Sequence, residues 1–290
     1  MLDICCVGHI TSDKVVTTNS IMHMPGGTAW YFSFAVCKLN LNYLLVTALA
    51  PAEMDYVTTL QNKQINVLVQ QSKHTVIFEN IYSEDQDFRT QNVLKEADSF
   101  TEQLLLPIEA RIFHLGPLLS KDFSLDLIKT LAAKGDISLD VQGYLRKVKL
   151  NKVFAADWPE KKEALQYVKY LKTDEAELRS LTNCENVKEA AKIVADWGVK
   201  EVVITNGSHG SMIYCEGVYY TIPAYRPQLI VDATGCGDTY MAGYLYQRVK
   251  GVDIEKAGRF AAALASLKME SAGPFNGTLE DVMLLLESHQ

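Results

Sequence analysis

Leu229-Ile230-Val231-Asp232-Ala233-Thr234-Gly235-Cys236-Gly237-Asp238-Thr239 is the stretch that decides the fold. An apolar, strand-like run leads into a glycine turn. A helix then opens near Gly237, its inner face set by Met241, Leu245 and Val249 at i, i+4 and i+8. Strand, tight turn and amphipathic helix form the repeating unit of a parallel sheet covered by helices on both faces.

Working outward, the same alternation recurs. Residues 4–7, 44–48, 110–115, 137–141 and 202–205 are short apolar runs that read as buried strands. Residues 26–39 read as a helix after two glycines, and Leu125, Ile128 and Leu131 mark another helical face. Ile254, Ala257, Ala261 and Leu264 share a face of the helix after the quoted one. Two stretches break the rhythm. Residues 14–24 are short, polar and β-branched, and residues 74–92 read as a hairpin turning at 83–87. We assign both to a small β lid, with excursions near 14–24 and 74–98, on a single α/β domain spanning 1–290. Two ordinary surface insertions are the alternative.

Composition removes several classes of function. The apolar fraction of 48% and charged fraction of 22% are those of a globular chain, so disorder, collagen and disulfide scaffolds fall away. Lys and Arg number 28 against 35 Asp and Glu, with no basic run, so nucleic acid and anionic lipid are not expected partners. No apolar run approaches membrane-spanning length, and no leader pattern precedes the first strand. The six cysteines form no C-x-x-C, and adjacent Cys5 and Cys6 would point to opposite faces of a strand, which suits free thiols in a reducing cytoplasm. No Gly-Lys dipeptide supports a P-loop, and no His is followed by Glu as H-E-x-x-H requires. The Gly235/Gly237 pair fails G-x-G-x-x-G at Tyr240, and 206–210 fails G-x-S-x-G at Asn206.

What remains is the chemistry of the quoted turn. A glycine-rich helix start leaves backbone N–H groups pointing outward, and with the positive end of the helix dipole they suit a phosphate or a developing oxyanion. Asp238 in the first helical turn puts a carboxylate beside that pocket, able to accept a proton from an alcohol. An Asp at a helix start is equally a cap. On the residues alone both readings stay open. A thiol at this helix start, Cys236, is expected to have a depressed pKa and to be alkylated quickly.

The segment Asp232-Ala233-Thr234-Gly235-Cys236-Gly237-Asp238 resembles the D-T-x-G-A-G-D signature of the ribokinase-like, or PfkB, family of carbohydrate kinases. The resemblance implies a three-layer α/β sandwich with a mostly parallel central sheet and a small β lid. It makes Asp238 the catalytic base and Gly235, Cys236 and Gly237 the anion hole, Cys236 replacing the usual alanine. Met24-Pro25-Gly26-Gly27-Thr28-Ala29 resembles the family's N-terminal glycine pair, which puts Gly26 and Gly27 against the acceptor. Trp30, Tyr31 and Phe32 follow where the family often has Asn; they read as an apolar substrate wall or as a buried helix face. Asp13 matches an Asp that binds substrate hydroxyls, its alternative being a turn residue at the lid hinge. In 202–210, Thr205, Gly207 and Gly210 resemble the ATP-side T-x-G-x-x-G loop, while His209 reads as a surface residue. After a strand near 167–171, Glu175 falls at the Glu of the family's N-x-x-E motif, an indirect magnesium contact. Lys172 stands where Asn is usual. An acidic helix start is the plain reading of this segment. Asp232 matches a position that in some relatives helps to bind a monovalent cation, potassium. Residues 140–146 resemble the D-x-N region of inositol-kinase-like members, with Gln142 and Arg146 as candidate substrate or phosphate contacts; a surface ion pair is the alternative for Arg146.

The implied activity is phosphorylation of a sugar or polyol hydroxyl by ATP with Mg²⁺, in a cytoplasmic protein, with a homodimer through the lid as an added expectation. The rivals are a nucleoside or vitamin-alcohol kinase of the same fold and a catalytically silent sugar-binding module.

Overall fold

The computed structural model describes residues 1–16, 20–82 and 89–289; the expected turn at 83–87 lies outside them. Strands follow the chain as β1 (Leu2–Gly8), β2 (Thr11–Val16), β3 (Ile21–Gly26), β4 (Tyr43–Leu49), β5 (Asn66–Gln71), β6 (Ile77–Tyr82), β7 (Arg89–Lys95), β8 (Ala110–Gly116), β9 (Asp136–Asp140), β10 (Arg146–Lys149), β11 (Lys152–Ala155), β12 (Val168–Asp174), β13 (Glu201–Thr205), β14 (Ser211–Cys215) and β15 (Val218–Ile222). Helices are α1 (Thr28–Val36), α2 (Met54–Asn62), α3 (Glu102–Leu105), α4 (Leu125–Ala132), α5 (Lys161–Ala164), α6 (Glu175–Thr182), α7 (Val187–Asp196), α8 (Cys236–Val249), α9 (Ile254–Met269) and α10 (Leu279–Glu287).

The large sheet has the order β15-β14-β13-β12-β9-β8-β1-β4-β5. From β5 through β13 every pairing is parallel, and β14 and β15 add an antiparallel edge. This is the expected α/β sandwich. Because strand residues alternate faces, Cys5 joins the core beneath α4, α6 and α7 while Cys6 joins the core beneath α1, α8 and α9. Both faces of each central strand are thus buried, which is why 4–7 and 202–205 are continuously apolar.

The lid is a second sheet, order β10-β11-β7-β6-β2-β3. It contains the two expected excursions and a third that sequence reading missed, β10 and β11. The signal was present: Val148 and Val153 alternate with lysines and pack against Val76, Phe78 and Val93. Ile21, Met22 and Phe154 stay exposed on the lid.

Two expectations are corrected. Residues 229–231 are not a strand. Leu229 and Ile230 are 63% and 70% exposed, and the Val231 N–H bonds the Met269 carbonyl at the end of α9 rather than a sheet neighbour. An apolar run becomes a strand only where it pairs along a sheet edge, and this run instead bonds the end of α9. The aromatic run is no substrate wall either. All of α1 is buried; Phe32 is fully enclosed and stacks on His114 at 4.4 Å, and Trp30 packs on Phe34 at 4.7 Å.

Phe32→Ala should therefore cost about 3–5 kcal/mol of stability in a urea titration, with little change in the KM of an acceptor. A large KM effect with unchanged stability would return Phe32 to the pocket.

Candidate active site

Parallel strands end together, and side chains at their carboxyl edge meet at the crevice where the chain changes direction across the sheet. Asp140 closes β9, and Lys172 is its direct partner on β12. The Lys172 Nζ lies 3.0 Å from Asp140 Oδ2, both side chains nearly enclosed, while Asp140 Oδ1 accepts the Gln142 N–H at 3.0 Å.

The turn of residues 232–235 delivers α8 to this pair. Gly235 caps the helix at φ 74°, a left-handed conformation that favours glycine, and a Cβ there would overlap the Tyr31 ring. Gly237 lies against Lys172: a Cβ on it would sit 3.2 Å from Cε and 3.3 Å from Nζ. The Cys236 N–H donates to the Ala233 carbonyl at 3.3 Å and closes the turn. The N–H groups of Gly237 and Asp238 are left facing the crevice, because a first helical turn has no carbonyl of its own to offer them. Of the expected trio, Cys236 thus spends its N–H within the turn, while Gly235 and Gly237 form no backbone hydrogen bond with theirs among the described residues.

Asp238 follows directly. Burial and the neighbouring Asp140 push its carboxyl up to about 7, against the Lys172 charge and a hydrogen bond from the Thr28 side chain; Glu177 adds to the upward push. Burial works against the Lys172 charge, yet Asp140, Glu177 and Asp238 outweigh it and hold the ammonium above the usual lysine range. Thr28 opens α1 directly behind Gly26 and Gly27 at the end of the lid strand β3. Asp13 on β2 faces that glycine pair, its Oδ2 only 2.7 Å from where a Gly26 Cβ would lie. Asp13, Gly26 and Gly27 thus meet at one lid-to-helix connection, which Thr28 ties to Asp238 at the start of α8.

On the other side a cleft of about 570 Å³ is lined by Asp174, Glu175, Arg179, Thr205, Gly207 and His209. Thr205 and Gly207 sit in it, and His209, a surface residue as expected, stands at its edge. Gly210 does not: it is buried, its would-be Cβ blocked by the Ile222 carbonyl, and it shapes the turn into β14. Glu175 lies here too, with Oε1 accepting from Asn206 at 2.7 Å and Oε2 from Arg179 at 2.7 Å. Glu177, two residues on, is the carboxylate that faces Lys172. Its Oε2 also accepts the Asp174 N–H in a capping box. Arg146 opens β10 in the lid sheet.

Two expectations fail on this geometry. The Cys236 thiol is pushed up to about 11, chiefly by burial, with Lys268 opposing and Asp232 and Asp238 adding to the rise; its Sγ points to the Ala265 carbonyl at 3.8 Å. Nor does Asp232 present a vacant cation site. Its carbonyl accepts Lys268 Nζ at 2.7 Å, Oδ2 lies 3.1 Å from that Nζ and 3.1 Å from the Gly273 N, and Oδ1 accepts the Thr234 N–H at 2.8 Å. Burial pushes the Asp232 carboxyl up, but the bonds from Thr234 and Lys268 outweigh it and hold it low. Sequence reading missed Lys268, and named Asp140 and Thr28 only as members of their motifs, with no role of their own. They lie in other elements, and only the sheet order brings them together.

A model of the pfkB family of carbohydrate kinases matches residues 3–281. The chain belongs to that family. Among curated pfkB relatives it is 26% identical to a cytidine kinase of Thermococcus kodakarensis, over 96% of this chain and all of that one. It is 25% identical to a nucleoside kinase of Methanocaldococcus jannaschii, over 100% of this chain and 98% of that one. Among solved structures it superposes with TM-score 0.87 at 29% identity on a pyrophosphate-dependent kinase of the ribokinase family complexed with a pyrophosphate analog and myo-inositol, covering 97% and 99% of the two chains. An Arabidopsis thaliana ribokinase with ribose and ATP, 21% identical at TM-score 0.79, shares the fold. The pfkB fold and a kinase of this family are thereby established for the chain.

With its carboxyl near 7, Asp238 would as a base be protonated and inactive below that pH, so on that role kcat/KM should rise with pH through about 7. In Lys172→Met the cation that lowers this value is gone, and the acidic limb should move to higher pH; an unmoved limb would separate Lys172 from Asp238. The Cys236 thiol should react with iodoacetamide at neutral pH more slowly than free cysteine; a faster rate would contradict its burial.

Proposed function

We propose that this protein transfers the γ-phosphoryl group of ATP to a hydroxyl of a sugar or polyol. The observation that carries the reading is the position of Asp238. Its carboxyl is tuned to about 7, follows the free N–H groups at the start of α8, and stands beside the ammonium of Lys172. Asp238 takes the hydroxyl proton as the acceptor oxygen bonds to the γ-phosphorus and the bond to the ADP oxygen breaks. The N–H groups of Gly237 and Asp238 hold charge on the transferred oxygens, and Lys172 adds a fixed positive charge. Gly235 sets the turn that aims them. Asp13, Gly26 and Gly27 form the polar acceptor side, and Thr205 and Gly207 the nucleotide side.

Among the described residues no three metal-ligating side chains converge. A magnesium ion carried on the donor phosphates would meet Glu175 only through its water shell. Bound there, the ion would neutralise charge on the phosphates. Pairing of two copies along the lid edge, where Ile21 and Met22 are exposed, belongs to the same proposal.

Two other readings each have an observation behind them. The full-length similarity to a cytidine kinase and a nucleoside kinase favours a nucleoside acceptor; the burial of 30–32 removes the sequence feature that favoured it. A buried lysine touching Gly237 is suited to a compact, highly charged donor such as pyrophosphate, the donor named for the similar structure.

The decisive test is a panel of sugars, inositols and nucleosides with ATP or pyrophosphate, product phosphomonoesters being read by mass spectrometry. We expect a sugar or polyol product with ATP. A nucleoside product, or turnover with pyrophosphate alone, would replace the corresponding half of the reading. Asp238→Asn should lower kcat about 10²- to 10⁴-fold with donor binding by calorimetry retained; near-normal turnover would remove Asp238 as the base.

A further inference from the structure

A second buried lysine lies on the far side of the turn from Lys172. Lys268, in the last turn of α9, is fully enclosed. Its Nζ bonds the carbonyl of Asp232 at 2.7 Å, lies 3.1 Å from the Asp232 carboxylate, and stands 5.6 Å from the centre of the Tyr31 ring. The same ring packs against Gly235, the cap of α8. A carbonyl oxygen, a carboxylate oxygen and an aromatic face therefore converge on one ammonium, at the start of the turn that sets the direction of the α8 N–H groups.

Oxygens converging on a point beside such a turn make a seat for a monovalent cation, the role the sequence assigned to Asp232. Here that seat is filled from within the chain. We propose that the Lys268 ammonium is the permanent cation of this turn, a positioning residue that makes the protein independent of potassium. An added cation at Asp232 would meet the like charge of Nζ, which already sits on both the carbonyl and the carboxylate. A tethered ammonium also has no dissociation equilibrium, so the turn keeps its shape whatever the salt. Its burial is tolerated because each direction it faces offers an acceptor or a ring. The positioning role rests on the kinase reading; the cation preference does not.

The test has a thermal arm and a kinetic arm. Wild-type protein is melted without substrate in tetramethylammonium chloride and in potassium chloride, and its turnover is measured in both with the best pair from the panel. We expect equal melting temperatures and turnover within about twofold. Lys268→Ala vacates the seat. In tetramethylammonium it should lose about 10- to 100-fold in turnover, the worth of a charge-assisted hydrogen bond, and melt lower. Potassium should restore part of both, which a lysine with a purely packing role would not permit. Potassium activation of the wild type by tenfold or more overturns the proposal, as does a Lys268→Ala protein that folds and gains nothing from potassium. If that variant does not fold, the wild-type arms decide alone. The melting arm needs no acceptor, so it stands even if the kinase reading fails.

Discussion

One ammonium, that of Lys172, faces three carboxylates, Asp140, Glu177 and Asp238, in a crevice largely out of water. Charge balance within this group governs the site. Asp140 sits directly across from the lysine and takes the ion pair, so Asp238 is left at the margin. It is close enough to the cation to ionise near neutrality and crowded enough by like charge to hold a proton willingly. A base needs both properties, and neither belongs to an aspartate in water.

The fold supplies the arrangement by making the strands parallel. Their carboxyl ends meet on one edge, which puts Asp140 and Lys172 side by side. The helix that follows the glycine turn then drives its first N–H groups toward them. Apolar burial on both faces of the sheet holds this edge in register, because a one-residue slip of β9 or β12 would turn Asp140 or Lys172 into the core. The lid contributes from the opposite side, through Asp13 and the glycine pair.

Much of this could be read from the residues. The alternation of short apolar runs with helical faces gave the layered sheet, and the turn at 232–239 gave the family, because glycines and an acid at fixed spacing describe a backbone shape directly. What escaped reading was contact between distant elements. Nothing local to residue 268 says that its side chain reaches Asp232, and nothing local to Cys236 says that its thiol is covered by α9 rather than washed by solvent. The dipole argument for a reactive thiol was sound chemistry applied to a group that is largely covered. The exposed run at 229–231 misled for the converse reason: strand propensity describes what a segment fits, and this one bonds the end of α9 instead of a sheet edge.

The junction of lid and core has a mechanical consequence. β3 ends at Gly26, α1 begins at Thr28, and Thr28 hydrogen-bonds Asp238. A single residue, Gly27, therefore separates the end of the lid strand from the hydroxyl that tempers the acidity of Asp238. Any shift of β3 would reach the Asp238 carboxyl across one intervening residue.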